Sequence, residues 1–222
     1  MKRFSILLLL LTFVAQAQIK VTMKKGDKIS VYNTVTVDGL TLLCTKEGSK
    51  LKQRIHKRQV KFVNMAKPTE LKTIEAAYYK GEHATVVKLA TAFVSKYKYL
   101  GWGKAVVPFL VDSLIATKAE SKEITYQATA AISYIGRSAR DDANEKTLLK
   151  IAQCKAKSIS EDYVTAIEAL NEVELTSKKV ASNYYIALGD LYLGQGKKQQ
   201  AAVQYVKVLV VGKRVKSPQW NL

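Results

Sequence analysis

Groups able to do chemistry are few in this chain. Its 222 residues hold two histidines, His56 and His83, and two cysteines, Cys44 and Cys154. Neither histidine has a second ligand at metal-binding spacing, so a metal site would need partners from elsewhere in the fold. His56 lies in a basic stretch and His83 just past Gly81, where a polar surface role suits each. Asp141-Asp142 is a pair that could serve acid–base work. It follows Gly136 and leads into an apolar-periodic segment, where carboxylates favour a helix N-terminus instead. The GQGKK stretch, Gly194 to Lys198, has the outline of a phosphate loop. Lys197 is followed by Lys198 rather than Ser or Thr, and the position five before Gly196 is Leu191 rather than Gly. The stretch also joins two helical patterns, whereas a phosphate loop follows a strand. It reads as a turn. Nothing here makes an enzyme, and no cofactor or metal is implied.

Binding chemistry is easier to find. Between Lys50 and Lys61, KLKQRIHKRQVK sets six positive charges in twelve residues with no acid: Lys50, Lys52, Arg54, Lys57, Arg58 and Lys61. Such a run is a candidate polyanion site. Lys50, Lys52 and Arg54 alternate with Leu51 and Ile55, which places the three charges on the outward face of a half-buried strand. Aromatic interleaving, which a single-strand nucleic-acid platform needs for stacking, is absent before Phe62. The whole chain is basic too, with a net charge of +18, an attractive field for polyanions that carries no information about fold.

The compartment decides which polyanion is relevant. The chain opens MKRFSILLLLLTFVAQAQ, a Lys2-Arg3 start, an apolar run from Ile6 to Val14 broken by Thr12, and small residues at Ala15 and Ala17. That series predicts a secretory signal peptide over 1–17, cleaved after Ala17 and too short to span a bilayer. The cleavage point has no cysteine for a lipid anchor, and charges interrupt every later apolar stretch. The mature chain is therefore expected in the periplasm or secreted, away from intracellular nucleic acid and without a transmembrane segment. An anionic envelope polymer is then the better polyanion.

Two segments must position these groups. Residues 18–66 alternate with a period of two, in Ile19-Val21-Met23, Ile29-Val31, Val35-Val37, Leu40-Leu42-Cys44 and Leu51-Gln53-Ile55. Asp38-Gly39 gives a hairpin signal, EGSK and HKRQ give turns, and Val60 and Phe62 close the set. About five short strands in so little chain predict a small closed or nearly closed barrel, because closure removes exposed edges. The layout, ending in Arg58-Gln59-Val60-Lys61-Phe62, resembles small SH3-like or Sm-like barrels placed ahead of helical repeats in exported bacterial proteins.

From 67 to 214 the period becomes helical. Leu71, Ile74 and Tyr78 form one face, and Val86, Ala90, Phe93 and Tyr97 a second. Val106, Val107, Leu110, Val111 and Leu114 make a third; Ile124, Ala128, Ala131 and Ile135, stopped at Gly136, make a fourth. Leu148, Ile151 and Ala152 mark a fifth. Ser160 is an N-cap candidate for a sixth through Tyr163, Ile167 and Leu170, and two more flank the turn at 194–196. The expected fold class is α+β, mainly α: a short N-terminal β barrel, then an α-solenoid of about four helical hairpins. Residues 215–222 form a C-terminal tail.

In SNYYIALGDLYLGQGKKQQAAVQYVKVL, the residues Tyr185, Leu188, Gly189, Tyr192, Ala201, Tyr205 and Val208 fall at the spacing of a tetratricopeptide repeat. The stretch resembles that family, departing from it at Val208, a usually small position, and in lacking the terminal proline. Thirty-five residues earlier, Cys154, Ala166, Leu170 and Val173 occupy the same four packing positions. GEHATVVKLATAFVSKY, Gly81 to Tyr97, looks like the second helix of another repeat without its following proline, while 104–136 looks more like a HEAT-type pair. Cys44 alternates with Leu40 and Leu42, and Cys154 takes a small packing position. Two buried thiols are the plainer reading, although export permits a disulfide if the Cα atoms approach within about 7 Å.

The resemblance implies a scaffold or adaptor that binds a protein or peptide on the surface made by the first helices of successive repeats. Carried onto this chain, the family's inward positions are Asn183, Ile186, Asp190 and Leu193. Asn183 and Asp190 would hydrogen-bond a peptide backbone, and Ile186 and Leu193 would give apolar contact. The alternative is an envelope polyanion-binding protein that uses Lys50, Lys52, Arg54, Lys57, Arg58 and Lys61.

Overall fold

The computed structural model describes residues 18–135, 139–160 and 162–213. The signal sequence, Gly136, the side chains of Asp141, Asp142 and Ser160, and the tail lie outside the described residues. Six short strands come first: β1 (Ile19–Met23), β2 (Ile29–Tyr32), β3 (Thr34–Asp38), β4 (Thr41–Thr45), β5 (Lys52–His56) and β6 (Val60–Asn64). Eight helices follow among the described residues: α1 (Glu70–Tyr79), α2 (His83–Tyr97), α3 (Val107–Ala116), α4 (Ser121–Ala130), α5 (Ala139–Lys157), α6 (Tyr163–Asn171), α7 (Lys178–Gly194) and α8 (Lys198–Lys213). The fold is α+β and mainly α.

The expected closed barrel is not formed. The strands make two separate antiparallel sheets, in the orders β2-β1-β6 and β3-β4-β5. Side chains help to tie them, Tyr32 Oη of β2 donating to Gln53 Oε1 of β5 at 2.8 Å. Closure is replaced by helix packing. Val21, Leu42, Ile55 and Val63 of the sheets share one continuous core with Ile74, Val86, Leu110, Ile124 and Leu149 of α1 to α5. Apolar strand faces that a barrel would turn on one another are covered in part by helices.

Local details follow the turn and register chemistry. The β3–β4 hairpin turns on Gly39 and Leu40, since Asp38 pairs with Thr41, and Gly39 takes φ +57° at the first central position. Leu40 is thereby in the turn and exposed, while Leu42 and Cys44 are fully buried. Leu51 precedes β5 and is 84% exposed, so the inward row expected there reduces to Ile55. A register shift between Thr22 and Met23 against β6 changes the phase of that strand. Val60 and Val63 are buried rather than Val60 and Phe62, as an irregularity that breaks the period-two count requires.

The helical periods hold closely. All of Val86, Ala90, Phe93 and Tyr97 are buried, as are Val106, Val107, Leu110, Val111 and Leu114. Asp162, not Ser160, caps α6, its carboxylate accepting from the Thr165 amide at 3.2 Å. A second core gathers Leu148, Ile151 and Cys154 of α5, Ala166 and Leu170 of α6, and Val180, Ala187, Leu188 and Leu191 of α7. α5 serves both cores, with Leu149 and Ala152 in the first and Leu148 and Ile151 in the second.

Two glycines admit close contacts. A Cβ on Gly189 would stand 2.5 Å from the Tyr205 ring, so α7 and α8 meet there because the side chain is absent. Gly194 is the last residue of α7, and a Cβ on it would strike the Tyr163 ring. It is a packing position as well as a turn neighbour; the left-handed residue of that turn is Gly196, with φ +75°.

Candidate functional site

Helices α1, α3, α5 and α7 pack in succession, α1 on α3, α3 on α5, α5 on α7. Their shared surface is crossed by one chain of polar side chains. Tyr78 Oη of α1 donates to Asp112 Oδ2 of α3 at 2.8 Å. Lys155 Nζ of α5 bridges Asp112 Oδ1 at 2.7 Å and Asp190 Oδ2 of α7 at 3.1 Å. Tyr205 Oη of α8 donates to Asp190 Oδ1 at 2.8 Å. Five helices are thus connected through five side chains, and each of the four carboxylate oxygens has a donor.

The electrostatics fix the protonation states. The Lys155 side chain is 13% exposed. Burial works against its charge, but Asp112 and Asp190 outweigh it and raise its pKa above the ordinary lysine value. Burial, reinforced by Asp112, pushes Tyr78 well above an ordinary tyrosine, and burial with the bond to Asp190 lifts Tyr205 to about 12. Both phenols therefore stay neutral donors. A buried ion pair contributes little net stability compared with apolar packing, but losing one partner from it is costly. The arrangement joins α1, α3, α5, α7 and α8 side chain to side chain.

Three of the four predicted contact residues come to this place. Asn183 and Ile186 line a small cavity of about 40 Å³ with Tyr78, Asp112 and Lys155. Ile186 is 39% exposed, and Asn183 Nδ2 donates to the Lys179 carbonyl at 2.9 Å. Asp190 belongs to the side-chain chain itself. Leu193 is 51% exposed and does not line this cavity. The volume suits one or a few waters, so the cavity is a detail in the floor of a surface. Beside it, Tyr78 packs on Phe109 with centroids 4.8 Å apart, and Tyr79, 79% exposed, stands at 5.6 Å from Tyr78. Lys155, Asp112, Tyr78 and Tyr205 were not singled out as site residues by their sequence pattern. The available signal was a charge inside an apolar face: Asp112 within PFLVDSLI, and Lys155 among the buried Ile151, Ala152, Cys154 and Ala156.

The basic run is dispersed over the β unit. Arg54 pairs with Asp38 at 3.1 Å and Lys61 with Asp27 at 2.7 Å. Lys57 Nζ lies 4.7 Å from the Tyr99 ring centre and donates to its hydroxyl at 3.2 Å. Lys50, Lys52 and Arg58 are exposed and make no ion pair among the described residues. His56 caps the short turn after β5, its Nδ1 accepting from the Arg58 amide at 3.2 Å. His83 Nδ1 lies 3.2 Å from Ser113 Oγ, against the edge of Tyr78. Cys44 and Cys154 are both free and buried, and burial pushes the Cys44 thiol up to about 11.

Two larger concavities flank the last turns of α2. One, of about 220 Å³, is lined by Ile74, Leu89, Ala92 and Phe93; the other, about 310 Å³, runs along Thr34 to Val37 of β3. Lys96 and Tyr97 border both, and Glu70 takes a 2.9 Å ion pair from Lys96 and a 3.0 Å hydrogen bond from Tyr97. The Lys96 hydrogen bond, helped by a backbone one, holds the Glu70 carboxyl near about 2.

No family model matches the chain, and no curated protein or solved structure is found to be similar to it. Among the described residues no helix is long and apolar enough to cross a membrane, and no group of three or more His, Cys, Asp or Glu stands where it could hold a metal ion.

Proposed function

We propose that this chain is an exported, non-enzymatic adaptor whose helical part is a tetratricopeptide-like α-solenoid of about four hairpins. It binds a protein or peptide segment along the face shared by α1, α3, α5 and α7. The observation that carries this reading is the polar chain from Tyr78 to Tyr205 across successive helices. A face fixed in this way is preorganised, so binding an extended segment costs little reordering of the receptor. Asn183 offers hydrogen bonds to a peptide backbone, and Ile186 with the exposed Tyr79 offers apolar and aromatic contact. Replacing Asn183 and Ile186 together with Arg tests it. Affinity capture from an envelope extract is expected to lose its main protein partner, with the melting curve unchanged; capture equal to wild type would refute the assignment.

A second reading has its own support in the exposed, unpaired Lys50, Lys52 and Arg58. In it the β unit binds an anionic envelope polymer and the helices are a spacer. Salt separates the two, because polyanion binding releases counterions and weakens steeply with ionic strength, while groove binding weakens little.

A further inference from the structure

α8 is apolar on two opposite sides. On one, Ala201 and Gln204 are buried and Tyr205 and Val208 partly so, against α7. On the other, Val203, Val206, Leu209 and Val210 are 54%, 57%, 63% and 51% exposed. At 3.6 residues per turn, 203, 206 and 210 form one stripe with 209 at its margin. An apolar stripe on a helix is ordinarily packed against a partner. This second stripe faces water.

Charge says what covers it. Residues 191–222 contain six Lys and Arg and no Asp or Glu. Lys207, beside the stripe, pairs with no carboxylate among the described residues; its Nζ donates to Gln204 at 3.1 Å and lies 5.3 Å from the Tyr185 ring centre. A second copy docked here would set two basic helices against each other. A flat anionic surface that also accepts aliphatic side chains meets both features, and a bilayer with acidic headgroups is such a surface. With 16 residues, α8 is too short to span it.

We infer that α8 lies flat on an anionic bilayer, with Val203, Val206, Leu209 and Val210 inserted at the headgroup boundary and Lys198 and Lys207 beside them toward the lipid phosphates. This does not depend on the peptide-binding face, which lies on the odd-numbered helices.

A strongly basic chain will meet acidic vesicles through charge alone, so the test isolates the apolar part. The full chain is floated with vesicles of phosphatidylcholine, alone or mixed with phosphatidylglycerol, at low salt and at about 1 M, where the screening length is about 3 Å. Binding is expected to require phosphatidylglycerol and to survive in part at high salt. Val206→Ser with Val210→Ser, exposed positions at no cost in charge, should lower the salt-resistant partition roughly tenfold. Leu209→Ser should act in the same direction and serves if the double variant melts early. Replacing Lys50, Lys52 and Arg54 with Gln should lower only the salt-sensitive part. Binding abolished entirely by salt, or unchanged by the serine variants, would overturn the inference. So would a dimer that the serine substitutions dissociate, with no vesicle binding.

Discussion

The β unit and the helical array handle positive charge in opposite ways. From Lys50 to Lys61 six cationic side chains are spread over a loop, two strands and the turn between them, and those with acidic partners meet them at the surface, as Arg54 meets Asp38 with side chains 68% and 54% exposed. In the array a single ammonium, Lys155, is drawn between two carboxylates and extended by two tyrosines across five helices. The dense run meets its partners at the surface, while an inconspicuous lysine joins two helices to its own. Density in sequence measures how charge is displayed; burial decides how much structure depends on it.

The largest effect is expected at Lys155. Lys155→Met leaves Asp112, 21% exposed, and Asp190, 42% exposed, without their shared cation and should cost about 2–3 kcal/mol in denaturant unfolding, less than a fully buried pair because water reaches Asp190. Adding Asp112→Asn and Asp190→Asn to that variant should recover most of the loss, since the penalty comes from unpaired charge. A silent single variant would mean the bridge is not made.

Next in size is Gly189→Leu, which forces a side chain into the Tyr205 ring and should cost about 1–3 kcal/mol in thermal melts. Gly194→Leu should be destabilising for the same reason, against Tyr163. Wild-type stability in both would remove the close contacts among α6, α7 and α8.

A smaller effect sharpens the contrast at the boundary of the two regions. The Glu70 carboxyl lies lower in the folded chain, near about 2 against an ordinary 4.5, so its pairing stabilises above about pH 4.5 and is lost as pH falls toward 2. Glu70 and Lys96 side chains are 47% and 63% exposed, which keeps the contribution under about 1 kcal/mol. Lys96→Met should therefore be slightly less stable than wild type at pH 6, and the difference should vanish by about pH 2.

The smallest effect is expected where charge is densest. Replacing Lys50, Lys52 and Arg54 with Gln should shift unfolding by no more than about 0.5 kcal/mol per site. A large loss would show that the β unit depends on its charges as the array does.

The change of period after residue 66, the eight helical segments, the Gly39 hairpin and the small residue at 189 are legible in the amino-acid sequence alone. These are properties of neighbours: side chains two, three or four positions apart share a face whatever the rest of the chain does. The sequence also brought Asn183, Ile186 and Asp190 forward through the repeat spacing. Tertiary structure decided the remainder. Whether two short sheets close on each other depends on what else meets their inner faces, and here those faces share one core with the helices, α2 lying against β3. A register shift at Thr22 and Met23 exchanged Phe62 for Val63 in the core, which no count along β6 alone can reveal. Lys155 finds Asp112 and Asp190 from positions 43 and 35 residues away. Their pairing depends on how three helices stack, so local sequence shows only a charge out of place on an apolar face.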